Sequence, residues 1–498
     1  LDWLYVGAYR DLFMGPLIDL GYIKSKLQKQ NGGNNFLAYL LSDGIAFNQR
    51  VESITQAGRR GSGEERLQEY FNHHSDLELT ERLSAGPLFD QIVAAAEYDS
   101  KVLQRGLELP INRPPFNSLL ASVVRNVRRE LPKSNYDTVL LIPHCRMSGA
   151  TKIAGKFSKA VVSLARDKDI LLVSTDLDIN RHPEWFPDSV DTYMLAGTLE
   201  GLEESHKEIV LFDLLLGVNA KKVINFNSAL GWDVYEKFGD RLATRRSLYA
   251  YFFCYDLNKN GVKVGYPSKN FVSSFSFLEK VFFDSDYLRT EVTQKNMITS
   301  DQDKHRLETL YTPVENVGVD KLFDDTARDG KKTIYWAGRL DRQKNFDLLV
   351  RIAKLLPEMD FQVWGESVIG DYEVCDYPAN ITINPPYLQI DELQPFQCDL
   401  WLYTSKWDGI PNLLLEIGVR GVPIVSTNVW GIGDLLNDEN SWLVNDIENE
   451  NSYVDLIIEA LGTPAERNKR AKRLREEIIQ RHSNVKYAES VSRVLYDE

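Results

Sequence analysis

Two short stretches of this 498-residue chain hold side chains able to manage a large negative charge. The first is Gly338-Arg339-Leu340-Asp341-Arg342-Gln343-Lys344-Asn345, directly after the apolar run TIYWA. Gly338 permits close backbone approach at a strand end. Arg339 and Lys344 lie five residues apart across a short loop. Arg grips phosphate as a fork and Lys as a point charge, so the pair could share one diphosphate. Two cations in a loop are otherwise usually solvated. The second stretch, Ser405 to Glu416 (SKWDGIPNLLLE), follows the run DLWLY. Pro411 suits a first helical turn, where its missing N–H costs nothing. The amides between Gly409 and Leu413 then form a helix start, a ready anion site. Asp408 precedes that helix and Glu416 lies about one turn inside it, so both are expected to face one cleft at hydroxyl-binding distance. Dipole complementarity for Asp408 and a solvated face for Glu416 are the plainer alternatives. Glu416 is flanked by Leu413, Leu414, Leu415 and Ile417, however. A half-buried carboxylate needs partners, and ribose or sugar hydroxyls would serve.

A third stretch, His144 to Lys152 (HCRMSGATK), follows the run DTVLLIP. Gly149, with Ser148 before it, opens a helix N-terminus that suits an anion, although one glycine in a strand-to-helix turn is commonplace. Asn225, Asn227, Ser228, Cys254, Tyr255 and Asp256 also stand near strand ends, as hydroxyl-holding or merely structural groups. Asp176-Leu177-Asp178 has the spacing of a metal-binding DxD pair. Asp284-Ser285-Asp286 and Asp301-Gln302-Asp303 share it, and such triplets arise by chance among 72 acids. The seven histidines lack metal-ligand spacing, so none of them points to a metal; no cofactor is expected.

These residues need rigid elements to position them. Residues 1–135 read as a mostly helical extension with turn-rich interruptions, in which Gly-Pro-Leu-x-Asp occurs at Gly15–Asp19 and Gly86–Asp90. From Tyr136 the texture becomes short apolar bursts alternating with amphipathic stretches. Asp137–Pro143, Asp169–Ser174, Lys222–Phe226, Leu248–Phe253 and Val281–Phe283 read as buried strands, and Thr151–Arg166 as a helix. The pattern restarts at Thr333–Ala337 and continues through a helix at Phe346–Leu356 and strands at Asp360–Trp364, Asn380–Ile383, Asp399–Tyr403 and Val422–Ser426. Continuous apolar strands alternating with helices imply parallel sheets covered on both faces. Two such sets predict an α/β chain of two doubly wound domains facing a cleft, with the ligand beyond the strands' carboxyl ends. The expected spans are 136–318 and 319–485, with a break near Pro313–Val319. Residues 486–498 form a C-terminal helix that can cross back to the first domain. The basic run within Arg467–Arg475 reads either as a solvated helix face or as a lipid-phosphate patch.

Composition narrows the classes. The hydrophobic fraction is 43% and the charged fraction 26%, which excludes global disorder and a fibrous repeat. The net charge of −14 argues against nucleic acid as the main partner. No apolar run reaches the roughly 18 residues of a spanning helix. The longest, Ile209–Val218, contains Asp213. The first residues lack a basic start and a cleavage site, so no leader is expected. Cys145, Cys254, Cys375 and Cys398 are far apart and fit reduced thiols in the cytoplasm. No GxGxxG follows an expected strand, which disfavours a dehydrogenase.

Taken together, GRLxxxKN, a strand-end glycine (Gly365), the acid-G-x-P-x-x-x-x-E helix and GxPIV resemble the C-terminal half of retaining glycosyltransferases of family GT4, which have the GT-B fold. The resemblance covers roughly Thr333 to Val444. It implies a nucleotide-diphosphate-sugar donor, with Arg339 and Lys344 on the diphosphate and Glu416 on the ribose. It places Asp408 and the amides of Gly409, Ile410, Pro411 and Asn412 at the sugar, and Pro386-Tyr387-Leu388 at the base. The family's usual first acid is Glu; here it is Asp408, one methylene shorter. Ser148-Gly149 resembles the family's glycine loop, with Ser148 replacing one glycine. The family's histidine in the first domain has no evident counterpart. Asn35–Gly44 and the Gly-Pro-Leu elements resemble helical modules that precede such domains in bacterial surface-polysaccharide enzymes. The implied acceptor is a glycan or lipid-linked glycan, which would bring the chain to the inner face of the cytoplasmic membrane and to other assembly enzymes. A non-catalytic nucleotide-sugar or glycan-binding component is the alternative.

Overall fold

The computed structural model describes residues 118–497, apart from 146–147, 165, 167–168, 178–182, 324–329 and 368–376. The Gly-Pro-Leu elements, Arg146, Met147, Asp178 and Cys375 therefore lie outside the described residues. The chain divides at residue 125, and residues 126–498 form one compact unit. Helix α1 (Ser118–Glu130) leads into it.

The first sheet is built from β1 (Thr138–Ile142), β2 (Ile170–Ser174), β3 (Val190–Met194), β4 (Lys222–Phe226), β5 (Ser247–Phe252), β8 (Lys280–Phe283) and β9 (Leu307–Thr309). A two-residue hairpin, β6 (Asp256–Leu257) with β7 (Lys263–Val264), follows β5. The second sheet comprises β10 (Thr333–Ala337), β11 (Asp360–Trp364), β12 (Ile381–Asn384), β13 (Leu400–Tyr403), β14 (Ile424–Thr427) and β15 (Trp442–Val444). The strand orders are β3-β2-β1-β4-β5-β8-β9 and β12-β11-β10-β13-β14-β15. Every pairing within either sheet is parallel. Each sheet therefore reverses its winding beside its first strand, which opens a crevice at the carboxyl ends.

The apolar runs explain the strands. All five residues of β1 and of β2 are buried, as in a sheet covered on both faces. Three strands of the two large sheets lie outside the sequence expectation, as does the β6–β7 hairpin. In β3 buried and accessible residues mix (VDTYM), as suits an edge, while β9 and β15 are only three residues long. The apolar stretch around Ile209 is helical, within α3 (Glu204–Gly217), and buries Val210, Leu211, Leu214 and Leu215. Among the described residues no helix is long and apolar enough to cross a membrane.

The helices that matter for the cleft are α2 (Gly149–Ser163), after β1, and α4 (Ala229–Ala243), after β4. In the same position stand α5 (Asp286–Lys295) after β8, α6 (Phe346–Leu355) after β10 and α7 (Asn412–Gly418) after β13. Helices α8 (Glu450–Gly462) and α9 (Pro464–Arg481) cover the second sheet. Within α9, Arg470 pairs with Glu466 at 3.0 Å and Arg473 with Glu477 at 2.9 Å.

At the end of α9 the chain turns through His482, whose Nδ1 lies 2.8 Å from the Thr312 carbonyl. Helix α10 (Asn484–Tyr496) then returns to the first sheet. Its Tyr487, Val491, Val494 and Leu495 join one core cluster with Ile153 and Phe157 of α2. The last helix thus braces the element that begins at Gly149. Val491 is fully buried, so Val491→Ala should cost about 2 kcal/mol, from two lost carbons and the cavity they leave. Urea unfolding checks this, and a change below about 0.5 kcal/mol, the size of an ordinary surface substitution, would contradict the docking.

Candidate functional site

The loops that follow β1, β5 and β8 in the first lobe meet those that follow β10, β13 and β14 in the second. Arg342 donates to the Asn258 carbonyl at 3.1 Å, and the Tyr287 N–H donates to Asp434 at 2.8 Å. Trp430, after β14, stacks on Tyr287 of α5 with ring centroids 6.3 Å apart.

On the second-lobe side the Gly338–Asn345 loop is fastened to the loop after β13. Asp341 accepts the Lys344 N–H at 2.9 Å, and Thr404 donates to the Lys344 carbonyl at 2.7 Å. The Lys406 N–H donates to the Gln343 carbonyl at 2.8 Å. These bonds hold the Lys344 side chain inward. Its ammonium lies 2.5 Å from the Asp408 carboxylate and 2.9 Å from the Tyr403 hydroxyl, and that hydroxyl donates to Asp408 at 2.6 Å. Burial opposes the ammonium, but the Asp408 charge and the contacts to Asp408 and Tyr403 outweigh it, and the Lys344 pKa is raised. Burial and the Asp408 charge likewise raise the Tyr403 phenol.

Two glycines clear this space. A Cβ on Gly365, which has a φ of +153°, would lie 1.9 Å from the Gly338 carbonyl oxygen. A Cβ on Gly409 would lie 2.0 Å from Asp284 Oδ2.

The structure gathers Gly338, Lys344, Tyr403, Asp408 and Gly409 at one point. Arg339 stands in the same loop, but its guanidinium turns back to Asp341 at 3.2 Å and to Gln343. Asp341 also accepts the Lys344 backbone N–H, but the two side-chain cations rest on different groups, Arg339 on Asp341 and Gln343 and Lys344 on Asp408 and Tyr403. Asp408 and Glu416 each have a cationic partner in the cleft. Asp408 is held by Lys344, whereas Glu416 pairs across the cleft with Lys152 of α2. Pro411 is not inside the helix. Its ψ of 130° is extended, and it caps a seven-residue α7 that starts at Asn412. A helix that short carries little dipole, which weakens the helix-start part of the anion argument. Ile410 is buried in the core, leaving only its backbone to the cleft. Tyr387 packs against the same core, within reach of the Glu416 and Lys344 charges, while Leu388 is exposed.

From the first lobe, Ser148 caps α2, accepting the Thr151 N–H at 3.2 Å and donating to the Thr151 hydroxyl at 2.8 Å. Gly149 faces Asn412, with its absent Cβ 3.8 Å from Asn412 Nδ2. Asp176, the described acid of its triplet, accepts the Ala229 and Leu230 N–H groups at the start of α4. Asp286 bonds Thr309, Tyr311 and Arg289. Asn225 and Ser228 bond each other and shape the turn into α4. Among the described residues no group of three His, Cys, Asp or Glu is placed to hold a metal ion.

Three cleft residues were not anticipated from the sequence: Lys152, Lys156 and Asp284. Lys156 donates to Asn412 Oδ1 at 3.1 Å. Asp284, at the end of β8, is 5% exposed and accepts from the Ser285 hydroxyl at 2.8 Å. Cys254 lies within range of the Asp284 and Asp408 charges, and burial pushes its thiol well up. The available signals were an acid closing the apolar run KVFFD and lysines four apart on a helix after a glycine.

Known proteins share this architecture. Residues 319–479 match the family described as Glycosyl transferases group 1. HepE of Anabaena, solved in complex with UDP and glucose, is 14% identical, with 73% of this chain and 100% of that one covered at a TM-score of 0.57. The lipopolysaccharide outer core galactosyltransferase WaaB is also 14% identical, with 72% and 98% covered at 0.54. The fold is the GT-B fold of glycosyltransferases. Its second lobe, with Arg339, Lys344, Asp408 and Glu416, lies in the segment that matches the group 1 family. A 41.2 kDa protein of the cps region of Klebsiella pneumoniae is 23% identical over 164 residues, 31% of this chain and 45% of that protein. Spore coat protein SA of Bacillus subtilis is 23% identical over 178 residues, 32% and 47%. The chain thus spans about half the length of the curated relatives it matches.

Asp284 supplies a pH test of the cleft. Burial, opposed by the Ser285 hydrogen bond and reinforced by the Asp408 and Asp434 charges, pushes its carboxyl up from 3.8 to about 7. Between those values the folded chain keeps a proton that the unfolded chain has released. This group's contribution to stability must therefore fall as pH rises through the window. Asp284→Asn should flatten that part of the melting-temperature profile; an unchanged profile would contradict the burial.

Proposed function

We propose that the chain is a glycosyltransferase that moves a sugar from a nucleotide-diphosphate-sugar to a glycan or lipid-linked glycan, with retention of anomeric configuration. The observation that carries the reading is the meeting of the Gly338–Lys344 loop, Asp408–Asn412, Glu416 and the start of α2 in one cleft. That cleft lies between the carboxyl edges of two parallel sheets, where doubly wound folds bind nucleotides.

In this reading Arg339 and Lys344 hold the diphosphate, with Ser148 and Gly149 closing on it from the first lobe. Glu416 holds the ribose, and Tyr387 with Leu388 flank the base. Asp408 and the backbone of Gly409, Ile410, Pro411 and Asn412 position the hexose. As the bond from the anomeric carbon to the phosphate oxygen breaks, charge builds on the leaving diphosphate. Preorganised cations in a cleft closed to water stabilise it. The acceptor oxygen bonds to the anomeric carbon on the face the diphosphate leaves, and a phosphate oxygen takes the acceptor's proton. The reading uses no protein nucleophile, metal or cofactor, because Arg, Lys and amides carry the charge.

The cps-region relative and the galactosyltransferase neighbour support a place in bacterial surface-polysaccharide synthesis, of the capsule or O-antigen kind. A lipid-linked acceptor would hold the chain at the inner face of the cytoplasmic membrane beside other assembly enzymes.

A thermal-shift screen of UDP, ADP, GDP and dTDP with their sugars tests the donor class. A ligand at 100 times its Kd stabilises by about 2.7 kcal/mol, so one base should stand out. With the selected donor, Lys344→Ala should lower kcat/KM by roughly 10²–10³-fold, the loss of one preorganised donor. Unchanged turnover in the folded variant would contradict the assignment. A thermal shift with neither transfer nor donor hydrolysis would make the chain a non-catalytic binding component.

A further inference from the structure

The first-lobe wall of the cleft carries more positive charge than the facing acid neutralises. Lys152 and Lys156 lie four residues apart on α2, on one face of that helix. Lys152 pairs with the Glu416 carboxylate, whereas Lys156 bonds the neutral Asn412 side chain at 3.1 Å. Both rise from a 15-residue helix whose N-terminus, at Gly149, adds partial positive charge to the same wall. Burial pulls the Lys156 ammonium down to about 8, against the attraction of Glu416. Glu315 also acts on Lys156, but Glu416 is the carboxylate paired with Lys152, and it is the group assigned to the donor's ribose.

We propose that Lys152 is a donor-binding residue that works by exchanging partners. Without donor it closes the cleft on Glu416; with a nucleoside diphosphate it releases Glu416 to the ribose and pairs with the diphosphate. The inference rests on the donor-site reading of the cleft. The exchange is feasible because the Lys152 side chain is 34% exposed and can leave its partner cheaply, while Glu416, only 13% exposed, receives the ribose hydroxyls in its place. A phosphate offers stronger, charge-assisted bonds. A nucleoside without phosphates must break the Lys152–Glu416 pair and gives Lys152 nothing in return. The wall therefore favours the diphosphate over the bare nucleoside beyond what Arg339 and Lys344 supply.

Calorimetric titration of the full chain with uridine, UDP and UDP-glucose, and in parallel guanosine, GDP and GDP-mannose, tests this in wild type, Lys152→Met and Lys152→Arg. The melting temperature of each variant confirms folding. In Lys152→Met, nucleoside affinity should be unchanged or tighter. Diphosphate affinity should fall by about tenfold or more, as for one lost charge-assisted bond. Lys152→Arg should restore most of it. An unchanged ratio of diphosphate to nucleoside affinity in Lys152→Met would overturn the exchange while leaving the donor site intact. A wild-type chain that binds neither these series nor ADP, dTDP and their sugars would overturn the donor-site reading and the exchange together.

Discussion

Lys344 and Asp408 hold opposite charges 2.5 Å apart, each with less than a fifth of its side chain exposed. A pair enclosed in this way is stable only while both members and their hydrogen bonds are present, since a lone buried charge is costly. The surrounding structure meets that constraint. Tyr403 bonds both partners, Thr404 grips the Lys344 carbonyl, and the Trp336 indole N–H donates to Thr404 at 2.9 Å. The loops after β10 and β13 thereby act as one rigid unit. Gly365 and Gly409 stand where backbone or carboxylate comes too near for a larger residue.

The second consequence concerns the two lobes. Nearly every charged group in the cleft already has a counter-charge or a hydrogen-bond partner. Arg339 rests on Asp341, Lys344 on Asp408 and Lys152 on Glu416. The cleft is held shut by the same groups that would grip an anionic ligand. An arriving diphosphate replaces existing partners instead of filling vacant positions, which keeps the cations paired in both states and limits the desolvation cost of closing. The connection near Thr312–Val314, bonded to His482 between α9 and α10, joins the lobes.

Much of the fold was legible because each strand's burial is written into consecutive residues. Runs such as TVLLI and TIYWA have no polar face, so the parallel sheets, and with them the cleft, followed directly. Strand β3 escaped because its edge position lets Asp191 and Thr192 interrupt the apolar pattern. The site was legible only as far as it is local. Arg339 and Lys344 share one loop, and Asp408 and Glu416 one loop and helix. Their actual partners are set by contacts between lobes, as with Lys152 and Glu416, 264 residues apart. Spacing along the chain says nothing about such pairs. It also could not show that Arg339 folds back onto Asp341, because a rotamer choice depends on neighbours supplied by the packed loop.

The most direct test of the account is a crystal structure of the chain with its nucleotide-sugar bound. The account predicts the diphosphate within hydrogen-bonding distance of Lys344 and of Lys152, with Glu416 turned from the lysine to the ribose. A nucleotide bound outside this cleft, or one seated in it while Lys152 remains on Glu416, would contradict it.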